Sequence, residues 1–414
     1  MNQFPVECDC TGSLGCSGYN NTFKFLKSNL VERCAMTRFD KSRLDPLATT
    51  SPSTPILIGS PVFRRAAFGT NHPLSIQRVE TVFDLLRCLG WFDPGAFVAC
   101  PPASRDVIST YHDEPYLDAL QRAEDTGIVE PSDRVRFNFG NMENPWFSGL
   151  FERAATTVGG SILAAKIAMQ GRTVFHPSGG THHGLPDRAN GFCYFNDPVF
   201  AVLTFLEAGL QRIAYVDVDA HHGDGVELAF KRDPRVMTIS VHEADRWPYS
   251  GTQSAPSDGI INLSVPAGCN DSEFTFCLDE IVLLELDAFD PEAVVITCGT
   301  DALAGDPLSR MRLSNRCLWD SVVAVCAMAP RRVIVGGGGY NPWTLARCWT
   351  GLWGVLQGKE MPDALPDDAT GILSDLTCDL IDEDEICEAW LTELVDKRNP
   401  GDVRDAVRSL VAGS

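Results

Sequence analysis

The sequence is short of positive charge. Its 34 Lys and Arg stand against 55 Asp and Glu, a formal net charge of −21. Phosphates are held through Lys and Arg, so this balance argues against direct binding of nucleic acid or of an anionic membrane surface. It suits a protein that meets cationic partners. Long apolar runs are missing too: no stretch approaches the roughly 20 residues of a membrane span. The first residues lack the charged start and apolar middle of a secretory signal, and no internal repeat is visible. The 15 cysteines lack the arrangement of a small disulfide scaffold, and several, such as Cys88, Cys298, Cys326 and Cys348, sit inside apolar runs. These absences lead to the expectation of a cytoplasmic protein with reduced thiols, leaving oligomeric state open, a homo-oligomer included.

What is there is 44% hydrophobic residues in 414, enough for a sizeable core. Residues 1–53 differ from the rest. They are polar, carry Cys8, Cys10, Cys16 and Cys34 at spacings that match no standard zinc knuckle, and run into a Ser/Pro-rich linker. They read as a flexible leader. From 54 to 414, strand-like runs at 55–58, 172–175, 212–218, 236–241, 293–298 and 331–335 alternate with helical patterns at 76–89, 147–169, 198–206, 226–230, 273–286 and 318–328. Apolar strands alternating with helices predict an α/β domain: a mostly parallel central sheet with helices on both faces. Sites in such sheets gather at the carboxyl ends of the strands, and four of the later strand candidates end in polar, chemically loaded segments.

The first of these segments, 217–225, contains Asp217, Asp219, His221, His222 and Asp224. If the extended path continues past the strand, Asp217, Asp219 and His221 share one side, and Asp219 and His221 offer a carboxylate oxygen and an imidazole nitrogen to one ion. A satisfied turn explains isolated Asp or His residues, but not this density. The second is Cys298 to Asp301, where Asp301 is either an ordinary helix cap or the third ligand. Two Asp and one His leave positions open for water and substrate, as a catalytic metal site requires. The third ends in His182 and His183. Adjacent histidines point apart and suit proton transfer beside a metal better than joint ligation. Asp217 and Asp224 are available to fix their tautomers. The fourth is four glycines, 336–339, followed by Tyr340. The glycines permit close approach of backbone and substrate, and a Tyr hydroxyl there can donate to an oxyanion. No Lys or Ser/Thr of a phosphate-binding loop follows.

These segments in this order, with 191–197 and 346–350, resemble the zinc-dependent histone deacetylase family, including its bacterial acetoin-utilisation branch. The likeness runs from about residue 56 to about 356. It implies a single arginase/deacetylase-like domain with a C-terminal helical extension. True arginases hold two manganese ions with a different His and Asp set, and the His182-His183 pair argues against that relative. The resemblance implies Asp219, His221 and Asp301 as Zn2+ ligands, with Fe2+ also suited to such a set. It makes His182 and His183 the acid/base pair backed by Asp217 and Asp224, and Tyr340 the group that polarises the acetyl carbonyl. Gly191, Phe192 and Leu308 become tunnel lining and Tyr249 the opposite wall, although the turn after Tyr249 departs from the family pattern. Glu143 becomes the acidic rim residue, where the family commonly has Asp. Arg78 stands near an acetate exit. A structural K+ would use Asp217, Asp219, His221, Ser240 and Val241. The implied substrate is an acetylated protein lysine, or alternatively an acetylpolyamine or another small acetylated amine. A silent acyl-lysine binder is disfavoured by the complete ligand set and Tyr340. Because residues before about Thr50 lie outside the resemblance and have weak core-forming pattern, a chain begun there is expected to keep near-normal turnover and metal content, as measured by steady-state assay and elemental analysis.

Overall fold

Eight strands form one sheet: β1 (Ile56–Gly59), β2 (Phe97–Ala99), β3 (Thr173–His176), β4 (Ile213–Asp217), β5 (Val236–Glu243), β6 (Ile260–Val265), β7 (Ala293–Thr297) and β8 (Arg332–Val335). The computed structural model describes residues 53–412 apart from 66 and 70. The leader up to residue 52 and its cysteines Cys8, Cys10, Cys16 and Cys34 lie outside the described residues. The strand order is β2-β1-β3-β8-β7-β4-β5-β6. Every pairing is parallel, so the expectation of a mostly parallel sheet is met without exception.

The strands are apolar on both faces because both faces are covered. In β4, Ala214 and Val216 enter one core while Ile213 and Tyr215 enter the other. β7 and β8 split in the same alternating way, as the two-residue period of a strand dictates. Helices Val79–Cys88, Asn315–Ala327 and Pro342–Leu356 close the first face, and Glu114–Thr126, Leu150–Ala168 and Asp197–Glu207 close the second. The segment beyond residue 356 joins the first core through Ala369, Leu373, Leu394 and Val407. The buried Arg347 ties it down, donating to Asp396 at 2.7 Å and to the Glu393 carbonyl. No disulfide joins the cysteines of the described residues, and no helix among them is long and apolar enough to cross a membrane.

Two strands and several helices escape the sequence reading. β2 has only three residues, too few to show a period, and β6 forms the far edge of the sheet. The helical pattern at 273–286 proves to be a continuous run of Asp271–Cys277, a π-helical turn Leu278–Val282, and Leu283–Phe289. What matters most for function is adjacency. β3, β8, β7 and β4 are the four neighbouring central strands, and they are the four whose carboxyl ends carry the chemically loaded segments.

Candidate active site

Past Asp217, the last residue of β4, the chain turns so that Asp219 and His221 face Asp301, which follows β7. One ligand atom from each of the three can be chosen with all of them within 4.8 Å of one another, and this is the only such His/Cys/Asp/Glu group among the described residues. His221 Nδ1 lies 2.9 Å from Asp301 Oδ2 and 3.3 Å from Asp219 Oδ1. Backbone N–H groups fix both carboxylates: Ala220 donates to Asp301 Oδ1 (3.0 Å), His221 to Asp219 Oδ1 (2.9 Å) and Gly338 to Asp219 Oδ2 (2.6 Å).

Asp219 and Asp301 are fully buried. Burial and the charge of Asp219 push the Asp301 carboxyl above its usual range. Burial also opposes ionisation of Asp219, but the imidazoles of His182 and His221 outweigh it and hold that carboxyl far below its usual value. His221, which burial alone would leave neutral, is lifted to about 10 by the two carboxylates. A buried pair of carboxylates with one imidazole, ion-paired only to histidines among the described residues, is a donor set suited to a divalent ion.

The glycines make this approach possible. A Cβ on Gly299 would lie 2.0 Å from Asp219 Oδ2, and one on Gly338 would lie 2.0 Å from Asp301 Oδ2. No side chain fits at either position without moving a carboxylate.

The histidine pair comes from the loop after β3. His182 Nδ1 is 2.7 Å from Asp217 Oδ2, and its Nε2 is 3.9 Å from Asp219 Oδ1. His183 Nδ1 is 2.7 Å from Asp224 Oδ1. Asp217 also accepts from the Tyr215 hydroxyl at 2.6 Å, and Asp224 from Asn190 at 3.2 Å. For His182, burial is overcome by Asp217 and Asp219, which raise it to about 9. For His183, burial and then the neighbouring His182 lower it to about 4, against the pull of Asp224.

Tyr340 is buried (7% exposed), and its ring stands edge-on to His221 (6.5 Å) and Phe192 (5.9 Å). Burial first, then the charges of Asp301 and Asp219, hold its phenol well above the usual value, so the hydroxyl keeps its proton. Of these groups, His183, His221 and Tyr340 line a pocket of about 410 Å3, together with Glu143, Gly191, Phe192, Trp247 and Leu308, among others.

Most residues singled out in the sequence converge here, with differences at the wall and rim. Tyr249 reaches the pocket but is 73% exposed. The residue that stands against the histidines is Trp247, edge-on to His183 at 4.6 Å and packed on Gly191. Sequence reasoning missed it, because the loop turns through Asp245 and Tyr249 at positive φ (55° and 60°). Glu143 lines the pocket, but its carboxylate is turned inward: Oε1 accepts from the Gly191 N–H (2.9 Å) and Oε2 from Asn138 (3.2 Å). Arg78 donates to the Gly337 carbonyl at 2.5 Å and lies over the Trp349 ring. It lines a second cavity of about 460 Å3 that shares Phe192 with the pocket. Ser240 and Val241 lie in β5, where Ser240 is the register partner of Asp217.

An α/β domain with a buried aspartate–histidine–aspartate group that could hold a metal ion, beside a pocket at the carboxyl ends of its strands, has the layout of a hydrolase. The histone deacetylase domain matches residues 72–356, and the chain belongs to the histone deacetylase family of deacetylase hydrolases. The chain is 30% identical over 327 residues to the acetoin utilization protein AcuC of Bacillus subtilis, covering 74% of this chain and 84% of that protein. It is 33% identical over 309 residues to human histone deacetylase 1, covering 72% of this chain and 64% of the other. The crystal structure of an HDAC homologue from Aquifex aeolicus superposes with a TM-score of 0.82 at 32% identity, covering 87% of this chain and 99% of that one.

Gly299→Ala tests the packing around the ligand group. Its methyl group must displace the Asp219 carboxylate, so affinity for a divalent metal should fall by roughly 10- to 100-fold, the range for losing support around a ligand. Chelator competition measures the loss, and circular dichroism should show the fold retained.

Proposed function

We propose that this chain hydrolyses the acetyl amide of lysine side chains in proteins, releasing acetate, with Zn2+ held by Asp219, His221 and Asp301. The observation that carries this reading is the meeting, in one pocket lining, of His221 from that buried group, the carboxylate-backed His183 and Tyr340, with the carboxylate-backed His182 beside Asp219. When bound, zinc supplies a Lewis acid for the amide carbonyl and makes water a competent nucleophile near neutral pH.

The protein's own residues supply the rest. Phe192, Trp247 and Leu308 line the pocket with apolar surface, fitting the methylene stem of a lysine while excluding water. Tyr340 donates its hydroxyl to the carbonyl oxygen as negative charge grows there. His182, aimed by Asp217, and His183, aimed by Asp224, take the proton from water and return one to the departing amine. The amine leaves as a cation, which a chain of net charge −21 does not repel. Arg78, in the adjoining cavity, is assigned to the acetate exit. A structural K+ is assigned to Asp217, Asp219, the His221 carbonyl, Ser240 and Val241; Asp217, the last residue of β4, is the register partner of Ser240 in β5.

Asp245, an exposed residue of the pocket lining, favours a second reading, a substrate with another cationic amine beyond the acetylated one, such as an acetylpolyamine. A panel of acetyl-lysine peptides, longer acyl-lysine peptides and acetylpolyamines, compared by kcat/KM, decides between them. Acetyl-lysine peptides should lead, and a clear preference for acetylpolyamines would replace the protein-lysine reading.

Tyr340→Phe removes one hydroxyl and leaves the ring. Its loss should fall on kcat more than on KM, by on the order of 100- to 1,000-fold. A tyrosine of purely structural value would instead lower the melting temperature with near-normal turnover. Kinetics and melting on one zinc-loaded preparation separate the two.

A further inference from the structure

Tyr340 has an anchoring problem. The four residues before it are glycines and offer no side chain to grip the core. After it, Asn341 caps helix Pro342–Leu356, accepting from Trp343 N–H (3.1 Å) and Thr344 N–H (3.2 Å). The cap fixes where the helix begins, on the carboxyl side of Tyr340. On its amino side the grip comes from elsewhere in the chain. The Tyr340 N–H donates to Asp306 Oδ2 at 2.7 Å. The other oxygen of the same carboxylate, Oδ1, accepts from the Leu308 N–H at 2.9 Å.

Asp306 is buried and forms no ion pair among the described residues. Burial, together with the charge of Asp301, pushes it up to about 7. A carboxylate is an expensive way to fill such a place, and packing alone does not call for one. Its one distinguishing property is geometric. It presents an acceptor on each side and no donor when ionised, so it satisfies two backbone N–H groups at once. One belongs to Tyr340 and the other to Leu308, and both residues line the pocket. The loop carrying Asp306 is itself held: Asn341 donates to the Gly305 carbonyl at 2.9 Å, and the Trp390 ring of the C-terminal segment covers Gly305.

We propose that Asp306 is a positioning residue of this active site: its carboxylate bridges the N–H groups of Tyr340 and Leu308, aiming the Tyr340 hydroxyl at the carbonyl oxygen and setting the pocket wall. The proposal rests on Tyr340 being the carbonyl-polarising donor. A displacement of about 1 Å at a reacting group can cost on the order of 100-fold, and among the described residues no other hydrogen bond reaches the Tyr340 N–H.

Asp306→Asn keeps the size of the side chain but turns one oxygen into an NH2 that faces a backbone N–H. The experiment is a double-mutant cycle of Asp306→Asn with Tyr340→Phe, reading kcat, KM, zinc content and melting temperature for all four proteins. Asp306→Asn alone should lower kcat by about 10- to 100-fold with zinc retained. In the Tyr340→Phe background it should lower kcat by less than about threefold, since the hydroxyl it aims is already gone. A rise in KM from the Leu308 arm should persist in both backgrounds. Should Asp306→Asn fail to fold, Asp306→Ser, which keeps one acceptor oxygen, takes its place in the cycle. Near-normal kcat in a folded, zinc-loaded Asp306 variant overturns the proposal, as does an equal kcat loss in both backgrounds, which would mark a general disturbance of the site. Near-normal kcat in Tyr340→Phe itself would instead remove the Tyr340 reading on which the proposal stands.

Discussion

Two carboxylates and an imidazole, taken out of water with no basic side chain paired to them, set the terms for the rest of this molecule. Burying one unpaired carboxylate costs several kcal/mol, and two neighbours repel one another besides. Asp219 and Asp301 are nonetheless fully buried, and their ion pairs among the described residues are with histidines alone. The fold lowers the cost with backbone N–H groups from Ala220, His221 and Gly338. It leaves the remaining demand to be met by a positive charge at the centre. A proton on His221 meets it partly, and a divalent ion meets it fully.

The same demand explains the composition of the surrounding loops. Side chains are stripped away where they would strike the carboxylates, at Gly299 and Gly338. Polar groups that do remain point at one another in ordered pairs, such as His182 with Asp217 and His183 with Asp224. Each pair fixes which ring nitrogen faces the pocket. The two histidines shift in opposite directions: burial and the neighbouring His182 lower His183, while Asp217 and Asp219 overcome burial and raise His182.

Much of this was legible in the sequence, because its determinants are local. An apolar strand followed by a dense run of Asp, His or Gly is visible without neighbours, and the ends of β3, β4, β7 and β8 are such runs. The adjacency of those four strands is not local, and only the likeness to a known family supplied it. Trp247 escaped because its place on the wall depends on two left-handed residues flanking it, which no periodicity announces. Asp306 escaped because its partners are backbone N–H groups, one of them on Tyr340, far along the chain. The inward turn of Glu143 escaped for the same reason: the Gly191 N–H that holds it is invisible in a string of side chains.

Strand order also imposes a schedule on the nascent chain. β8, the last strand made, inserts between β3 and β7, so that Thr173 pairs with Arg332. Until it arrives, the sheet exists as two unjoined parts. One, β2-β1-β3, leads into the histidine pair, and the other, β7-β4-β5-β6, leads into Asp219, His221 and Asp301. Pairings so distant in sequence are slow to form and leave open strand edges meanwhile. Without residues beyond about 330, the histidine pair and the aspartate–histidine–aspartate group follow strands that no pairing joins, and neither the Gly338 N–H nor Tyr340 is present. A single closing strand brings the two parts into register.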